Sequence, residues 1–155
     1  MALKIGDTVQ DFSLQNTEGK PVRLKELTGD NRAVILFFPL AFSGVCTEEL
    51  CSTRDNMKMF NSLNATVAAI SADSFFTLRE YKKVNNLNFE LLSDFNKEVS
   101  AEFDSLYQDY FGMKGVPKRS AFVINSDMQI EHMEILEDSD LIPDFNEIIR
   151  VLGKG

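Results

Sequence analysis

The sequence predicts an α/β fold: a mixed central sheet flanked by helices and preceded by an N-terminal hairpin. Three observations carry that expectation. Residues 33–38 (Ala-Val-Ile-Leu-Phe-Phe) are apolar on both faces, as a strand buried between helix layers requires. Segments with apolar residues at helical spacing then alternate with further short apolar runs, the pattern of strands joined by crossover helices. Near the end the alternation changes to two strands in succession and one amphipathic helix, so the sheet is mixed rather than wholly parallel.

Taken in order, residues 11–15 and 22–25 alternate apolar with polar and flank Asn16-Thr17-Glu18-Gly19-Lys20-Pro21, a hairpin with a glycine-containing loop. Residues 27–31 form a turn before the strand at 33–38. Leu50, Met57, Phe60 and Leu63 share one helical face, which extends the next helix to about Leu63. Residues 65–70 are a second buried strand. Asp73-Ser74 can cap a helix over 76–85, with Leu78, Tyr81 and Val84 or Asn85 inward. Residues 89–92 are a short strand, and 96–107 a helix aligning Val99, Phe103 and Leu106. Gly112, Gly115 and Pro117 mark 108–118 as a loop. Residues 121–124 and 129–136 are strands around the turn Asn125-Ser126-Asp127. Asp140 caps the last helix, Pro143 sits in its first turn, and Gly153 stops it. Its apolar stripe is Ile142, Phe145, Ile149 and Leu152.

The 155 residues are expected to form one domain spanning 1–155, long enough for a sizeable core. A net charge of −8 leaves no basic patch to meet phosphates, so nucleic acid and anionic membrane surfaces are not expected partners. The longest apolar run, residues 33–42, contains Pro39 and falls well short of the roughly 20 residues a membrane helix needs. Residues 1–7 lack a secretory apolar core, and the chain has only two cysteines. Both features point to a reducing cytoplasm, where a close cysteine pair is more often catalytic than structural.

That pair, Cys46 and Cys51, lies just past the buried strand, in Phe38-Pro39-Leu40-Ala41-Phe42-Ser43-Gly44-Val45-Cys46-Thr47-Glu48-Glu49-Leu50-Cys51. The pattern is a strand, a proline-marked turn, then a helix whose first turn carries Cys46. A thiol there faces the unpaired N–H groups and the positive end of the helix, which favour the anionic, nucleophilic form. The competing reading of Cys46 is a buried small hydrophobe at a strand–helix junction.

Pro39, Ser43 and Cys46 fit the Pro-x-x-x-Thr/Ser-x-x-Cys signature of the peroxiredoxins, and Arg119-Ser120-Ala121-Phe122-Val123-Ile124 resembles that family's Arg followed by a core strand. The chain thus resembles the peroxiredoxin family, thiol-dependent peroxidases of thioredoxin-like fold, over nearly its whole length. The Cys46/Cys51 spacing is similar to that of the bacterioferritin-comigratory (PrxQ)/AhpE-like type. The resemblance implies that Cys46 is the peroxidatic cysteine, whose thiolate attacks a peroxide and becomes a sulfenic acid. It implies that Arg119 supplies charge and donors to thiolate and peroxide, and that Glu49 holds the Arg. The resemblance further implies that Ser43, which keeps the hydroxyl of the commoner Thr, and the backbone N–H groups of Val45 and Cys46 complete the peroxide site, and that Pro39 shields the thiolate.

Each residue also has a plainer reading: Ser43 as a simple N-cap, Pro39 as a strand terminator, Arg119 as a surface charge, and Glu49, like Glu48, as a carboxylate placed well in a helix start. Cys51 is the candidate resolving cysteine. On an intact helix five residues rise about 7.5 Å and rotate by about 140°, whereas a disulfide needs Cα atoms within about 7 Å and converging Cβ vectors. The first turns must therefore unwind for the pair to join. Otherwise Cys51 packs idly and an outside thiol resolves a one-Cys enzyme.

No cofactor or metal is expected: His132 is the single histidine, and no glycine-rich phosphate loop occurs. The expected partners are a peroxide and thioredoxin or a similar thiol reductant. Phe42, Phe75 and Phe76 line either the core or a homodimer interface, leaving monomer or homodimer. Cys-x-x-x-x-Cys in place of Cys-x-x-Cys weighs against a thiol–disulfide oxidoreductase. A non-enzymatic redox sensor on the same scaffold is the remaining alternative. The end at Gly155, without a cysteine-bearing arm, weighs against intersubunit disulfides.

Overall fold

The structure, a computed structural model, describes residues 3–154. Residues 1, 2 and 155, included in the expected domain and in the readings of both chain ends, lie outside the described residues. The elements run β1 (Ser13–Asn16), β2 (Pro21–Arg23), α1 (Leu24–Thr28), β3 (Arg32–Phe37), α2 (Gly44–Asp55), α3 (Met57–Ser62), β4 (Ala65–Ser71), α4 (Phe75–Val84), β5 (Glu90–Ser93), α5 (Glu98–Glu102), β6 (Ser120–Ile124), β7 (Ile130–Ile135) and α6 (Phe145–Gly153).

Among the described residues seven strands form one sheet in the order β2-β1-β5-β4-β3-β6-β7. β3, β4 and β5 pair in parallel, and every other pairing is antiparallel, so the sheet is mixed as the sequence predicts. The expected hairpin is present. Asn16 Oδ1 accepts from the N–H groups of Glu18 and Lys20, and Gly19 takes the positive φ of +76° that the loop needs. Pro21, which cannot donate to a ladder, lies on the edge strand β2.

β3 separates two cores because its alternate side chains point to opposite faces. Val34, Leu36 and Phe38 meet Leu50 of α2, Phe60 of α3, Leu78 and Tyr81 of α4, and Ile148 of α6. Ala33, Ile35 and Phe37 meet Leu24 and Leu27 of α1 and Val99 and Phe103 around α5. Helices thus cover both faces of the central strands.

Several expected boundaries move. The helix drawn from Cys46 to Leu63 is two helices, broken at Asn56 (φ −106°, ψ 10°), whose N–H turns to Thr53 O at 3.1 Å and whose side chain donates to Ser52 O. The helix drawn over 96–107 ends at Glu102. Asp104 adopts a left-handed φ of +54°, Ser105 N–H reaches back to Ser100 O at 2.8 Å, and the chain turns into the loop, where Tyr107 N–H pairs with Val116 O. The last helix starts at Phe145, not after Asp140. Asp144 caps it by accepting from Glu147 N–H at 3.2 Å, Pro143 precedes the cap, and Gly153 is its last residue rather than its stop. The short α1 replaces the expected end of the second hairpin strand. Its start is held by Glu26 Oε1 accepting from Arg23 N–H at 3.1 Å, and Leu24, Leu27 and Thr28 are buried.

Candidate active site

The C-terminal ends of β3 and β4 and the start of β6 lie side by side, with Phe37 paired to both Ile70 and Ser120. This end of the parallel strands is where open α/β sheets place their crevices. The chain leaves β3 through Phe38, whose N–H still bonds Ile70 O at 2.9 Å, and buried Pro39 ends the ladder. The following turn is held from two sides. Ala41 N–H donates to Asp73 Oδ2 at 2.8 Å, and Ser43 Oγ donates back to Leu40 O at 2.9 Å. Between them Phe42 takes a left-handed φ of +67°, a strained conformation for a residue with a bulky side chain.

Ser43 then stands at the N-cap position of α2, but its hydroxyl makes no capping bond, because it closes the turn to Leu40 instead. The simple-cap reading of its side chain is therefore corrected. Cys46 follows in the first turn of α2 with no exposed surface, and Glu49, three residues on, faces the same way and is equally buried.

Arg119 comes from the neighbouring strand, immediately before β6, and is 1% exposed. It is not the surface charge that an Arg before a strand usually is. Its planar fork reaches three acceptors. Nη2 donates to Cys46 Sγ at 3.1 Å, Nη1 to Glu49 Oε1 at 2.6 Å, and Nε to Ser139 O at 3.0 Å. A guanidinium does this with one rigid group, whereas an ammonium offers no such fork. Burial tends to lower the Arg119 pKa, but Glu49 and Cys46 outweigh it and hold the group above its ordinary value. The site therefore keeps a permanent positive charge against the sulfur.

Burial pushes the Glu49 carboxyl up from 4.5 to about 7, against the opposing pull of Arg119. Its second oxygen, Oε2, is buried without a partner, so the ionised form loses solvation on one side. Folded Glu49 keeps its proton at pH values where the unfolded chain has lost it, so its contribution is present below about 4.5 and lost as pH rises towards 7. The loss is on the order of 3 kcal/mol. Glu49→Gln is expected to flatten this part of the profile, measured as urea midpoint against pH; an unchanged profile assigns the dependence elsewhere.

Cys46, Glu49 and Arg119 lie together, joined through the guanidinium. Cys51 is not brought to Cys46: both thiols are free, α2 is intact between them, and Cys51 Sγ lies 3.7 Å from Asn85 Oδ1. His132 stands on β7 opposite Val123, and no hydrogen bond joins it to Cys46. Among the described residues no cluster of three or more His, Cys, Asp or Glu side chains could hold a metal, and no helix is long and apolar enough to cross a membrane.

Sequence reasoning missed Asp73, read only as part of a helix cap. Ser74 does the capping, accepting from Thr77 N–H at 3.2 Å, while Asp73 anchors the turn before α2 and accepts from Ser71 Oγ at 2.6 Å. It also missed Ser139, whose contribution is a backbone carbonyl, and the hydrogen bond between Thr47 Oγ1 and Tyr81 OH at 2.9 Å. The contacts of Asp73 with Ala41, Ser139 with Arg119 and Thr47 with Tyr81 have no local signal, because each joins residues at least 20 positions apart.

Residues 5–133 match the AhpC/TSA family. The chain is 35% identical over 128 residues to a putative peroxiredoxin of Mycobacterium tuberculosis, covering 83% of this chain and 82% of that one. It is 34% identical over 134 residues to peroxiredoxin Bcp of Escherichia coli, covering 84% and 85%. Its fold superposes on the crystal structure of peroxidoxin BcpB from Mycobacterium tuberculosis with a TM-score of 0.88 at 31% identity, over 98% of this chain and 97% of that one. PrxQ from Xylella fastidiosa, at 21% identity, shares the fold with a TM-score of 0.87 over 99% and 98%. The family match over most of the chain agrees with a buried cysteine set in a helix start against a buried arginine, and the chain belongs to the AhpC/TSA family, the peroxiredoxins.

Proposed function

We propose that Cys46 is the peroxidatic cysteine of this thiol peroxidase and that Arg119 is its electrostatic partner. The carrying observation is the single guanidinium bonded to both Cys46 Sγ and Glu49 Oε1. The Cys46 thiolate attacks one peroxide oxygen, an S–O bond forms as the O–O bond breaks, and the departing alkoxide or hydroxide takes a proton to leave as alcohol or water. Arg119 Nη2 stands where negative charge passes from sulfur to oxygen, and donors aimed at developing charge stabilise the transition state. The N–H groups of Val45 and Cys46 and the Ser43 hydroxyl, which keeps acceptor capacity, are the other peroxide contacts, and buried Pro39 shields the sulfur.

Cys51 then attacks the sulfenic acid, giving a Cys46–Cys51 disulfide and water, and an external dithiol of the thioredoxin type returns both thiols. The disulfide requires α2 to unwind over its first turns, because the wound helix holds the two sulfurs apart. We place this chemistry in a reducing cytoplasm, in one domain of a monomer or homodimer acting on neither nucleic acid nor membrane. The acidic charge supports the last point, and the exposure of Phe42 and Phe76 supports a homodimer.

A second reading, a one-Cys enzyme resolved by an outside thiol, draws on the Cys51 contact with Asn85 in an intact helix. Cys51→Ser separates the two. With resolution by Cys51, a single dose of peroxide leaves the variant carrying one added oxygen on Cys46, trapped by a sulfenic-acid reagent, while the wild type has lost two hydrogens. Equal accumulation of sulfenic acid in both proteins establishes the one-Cys reading.

A further inference from the structure

We propose that Tyr81 is a positioning residue for the second half of the reaction: its hydroxyl, bonded to Thr47, pins the first turns of α2 to α4 and sets how fast oxidised Cys46 reaches Cys51. This rests on the reading of Cys51 as the resolving thiol.

Thr47 directly follows Cys46, and its Oγ1 lies 2.9 Å from Tyr81 OH on α4. Tyr81 is fully buried, its ring stacked on Phe38 with centroids 6.1 Å apart and meeting Phe42 edge-on at 4.9 Å. The ring is thus fixed against Phe38 and Phe42 of the turn that leads into α2, and its hydroxyl reaches Thr47 of the helix. Burial pushes that hydroxyl up to about 12, so it stays neutral at any working pH and the tie is not itself a pH switch.

Where a tie lies along α2 decides whether it opposes resolution. Arg54 Nη1 donates to Asn85 O at 2.6 Å, and Asn88 Nδ2 reaches Arg54 O at 3.4 Å. Both hold α2 beyond Cys51 and persist while residues 44–51 unwind. The Thr47–Tyr81 bond lies inside the segment that must unwind, so it breaks before the sulfurs meet. Breaking it leaves a buried phenol without a partner, which costs more than the bond's net worth in the folded state. The tie slows resolution without touching the attack on peroxide, since neither hydroxyl bonds to Cys46 or Arg119. Slow resolution lengthens the life of the sulfenic acid, and a second peroxide then oxidises it to sulfinic acid.

The Cys51 sulfur supplies the electron pair of the new S–S bond, the S–O bond of the sulfenic acid breaks, and hydroxide leaves to become water with a proton from solvent. The reduced full-length chain is mixed with one equivalent of hydrogen peroxide, quenched with acid at successive times and weighed by mass spectrometry. Wild type, Tyr81→Phe, Thr47→Val and the double variant are compared, with peroxide loss followed in parallel. Each single variant is expected to close the disulfide ~5-fold faster, the double no faster than the singles, and the first step to stay within about two-fold. The peroxide concentration that drives Cys46 to sulfinic acid is expected to rise by a similar factor.

Closure at the wild-type rate in both single variants, or first-step and closure rates that change together, overturns the proposal. Failure of the underlying reading looks different: wild type then forms no Cys46–Cys51 disulfide at all, and the tie has no step to control. Amide exchange over residues 44–51 is the second measurement; it accelerates in Tyr81→Phe if the hydroxyl pins this segment and is unchanged if it does not.

Discussion

Cys46→Ser is expected to lose peroxide turnover by at least about 10⁴-fold, because removing a nucleophile removes the step that every other group supports. Serine keeps the size of the side chain, and its hydroxyl remains protonated at neutral pH, where a thiol supplies a usable fraction of thiolate. The measurement is the initial rate of hydrogen peroxide loss with a dithiol reductant, with free cysteine alongside. Cys46 has no exposed surface, so a retained circular dichroism spectrum shows that the loss is chemical rather than structural. A variant that turns over like the wild type removes Cys46 from the mechanism. A wild type no faster than free cysteine favours a redox sensor or a disulfide-exchange protein on this scaffold.

Arg119→Met is expected to lower kcat/KM by about 10²–10³-fold, the usual cost of deleting a donor aimed at developing negative charge. The same change leaves the Glu49 carboxylate in the core without Arg119 Nη1, its one hydrogen-bond donor among the described residues. Breaking one side of a buried ion pair costs about 3–5 kcal/mol, reduced here to the extent that Glu49 takes up a proton. Adding Glu49→Gln to Arg119→Met is expected to recover part of the stability and none of the activity. Arg119→Lys separates charge from geometry. It keeps the positive charge but cannot serve Cys46, Glu49 and the Ser139 carbonyl together, and is expected to fall between wild type and Met. Steady-state kinetics and urea midpoints of the same preparations test both effects; a Met variant at the wild-type rate rules out Arg119 as the electrostatic partner.

Much of the fold was legible because its signals are local. The all-apolar run of β3, the alternating β7 and the glycine-marked loop after α5 each reflect how a few successive residues meet water or a core. The misplacements have local causes of another kind. The apolar spacing of Leu50, Met57 and Phe60 continues across Asn56, so periodicity alone joins α2 to α3. The helical spacing of Val99, Phe103 and Leu106 continues past the end of α5, although Asp104 has turned left-handed before Leu106. Asp140 and Asp144 are both good caps, and only the packing of α6 on the sheet chooses the second.

The sequence by itself determined the strand–turn–helix that puts Cys46 in a helix start, the mixed α/β architecture, and the geometric demand that Cys46 and Cys51 join only through unwinding. Its resemblance to a known family named Arg119 and Glu49. Tertiary structure alone decided what those residues touch. Arg119 meets Cys46 across 73 positions and Glu49 across 70, Asp73 fixes the turn at Ala41 across 32, and Tyr81 holds Thr47 across 34. Propensity and periodicity act over one or two turns of chain. Hydrogen bonds over these separations exist only once β3, β4 and β6 have aligned and both helix layers have closed on the sheet.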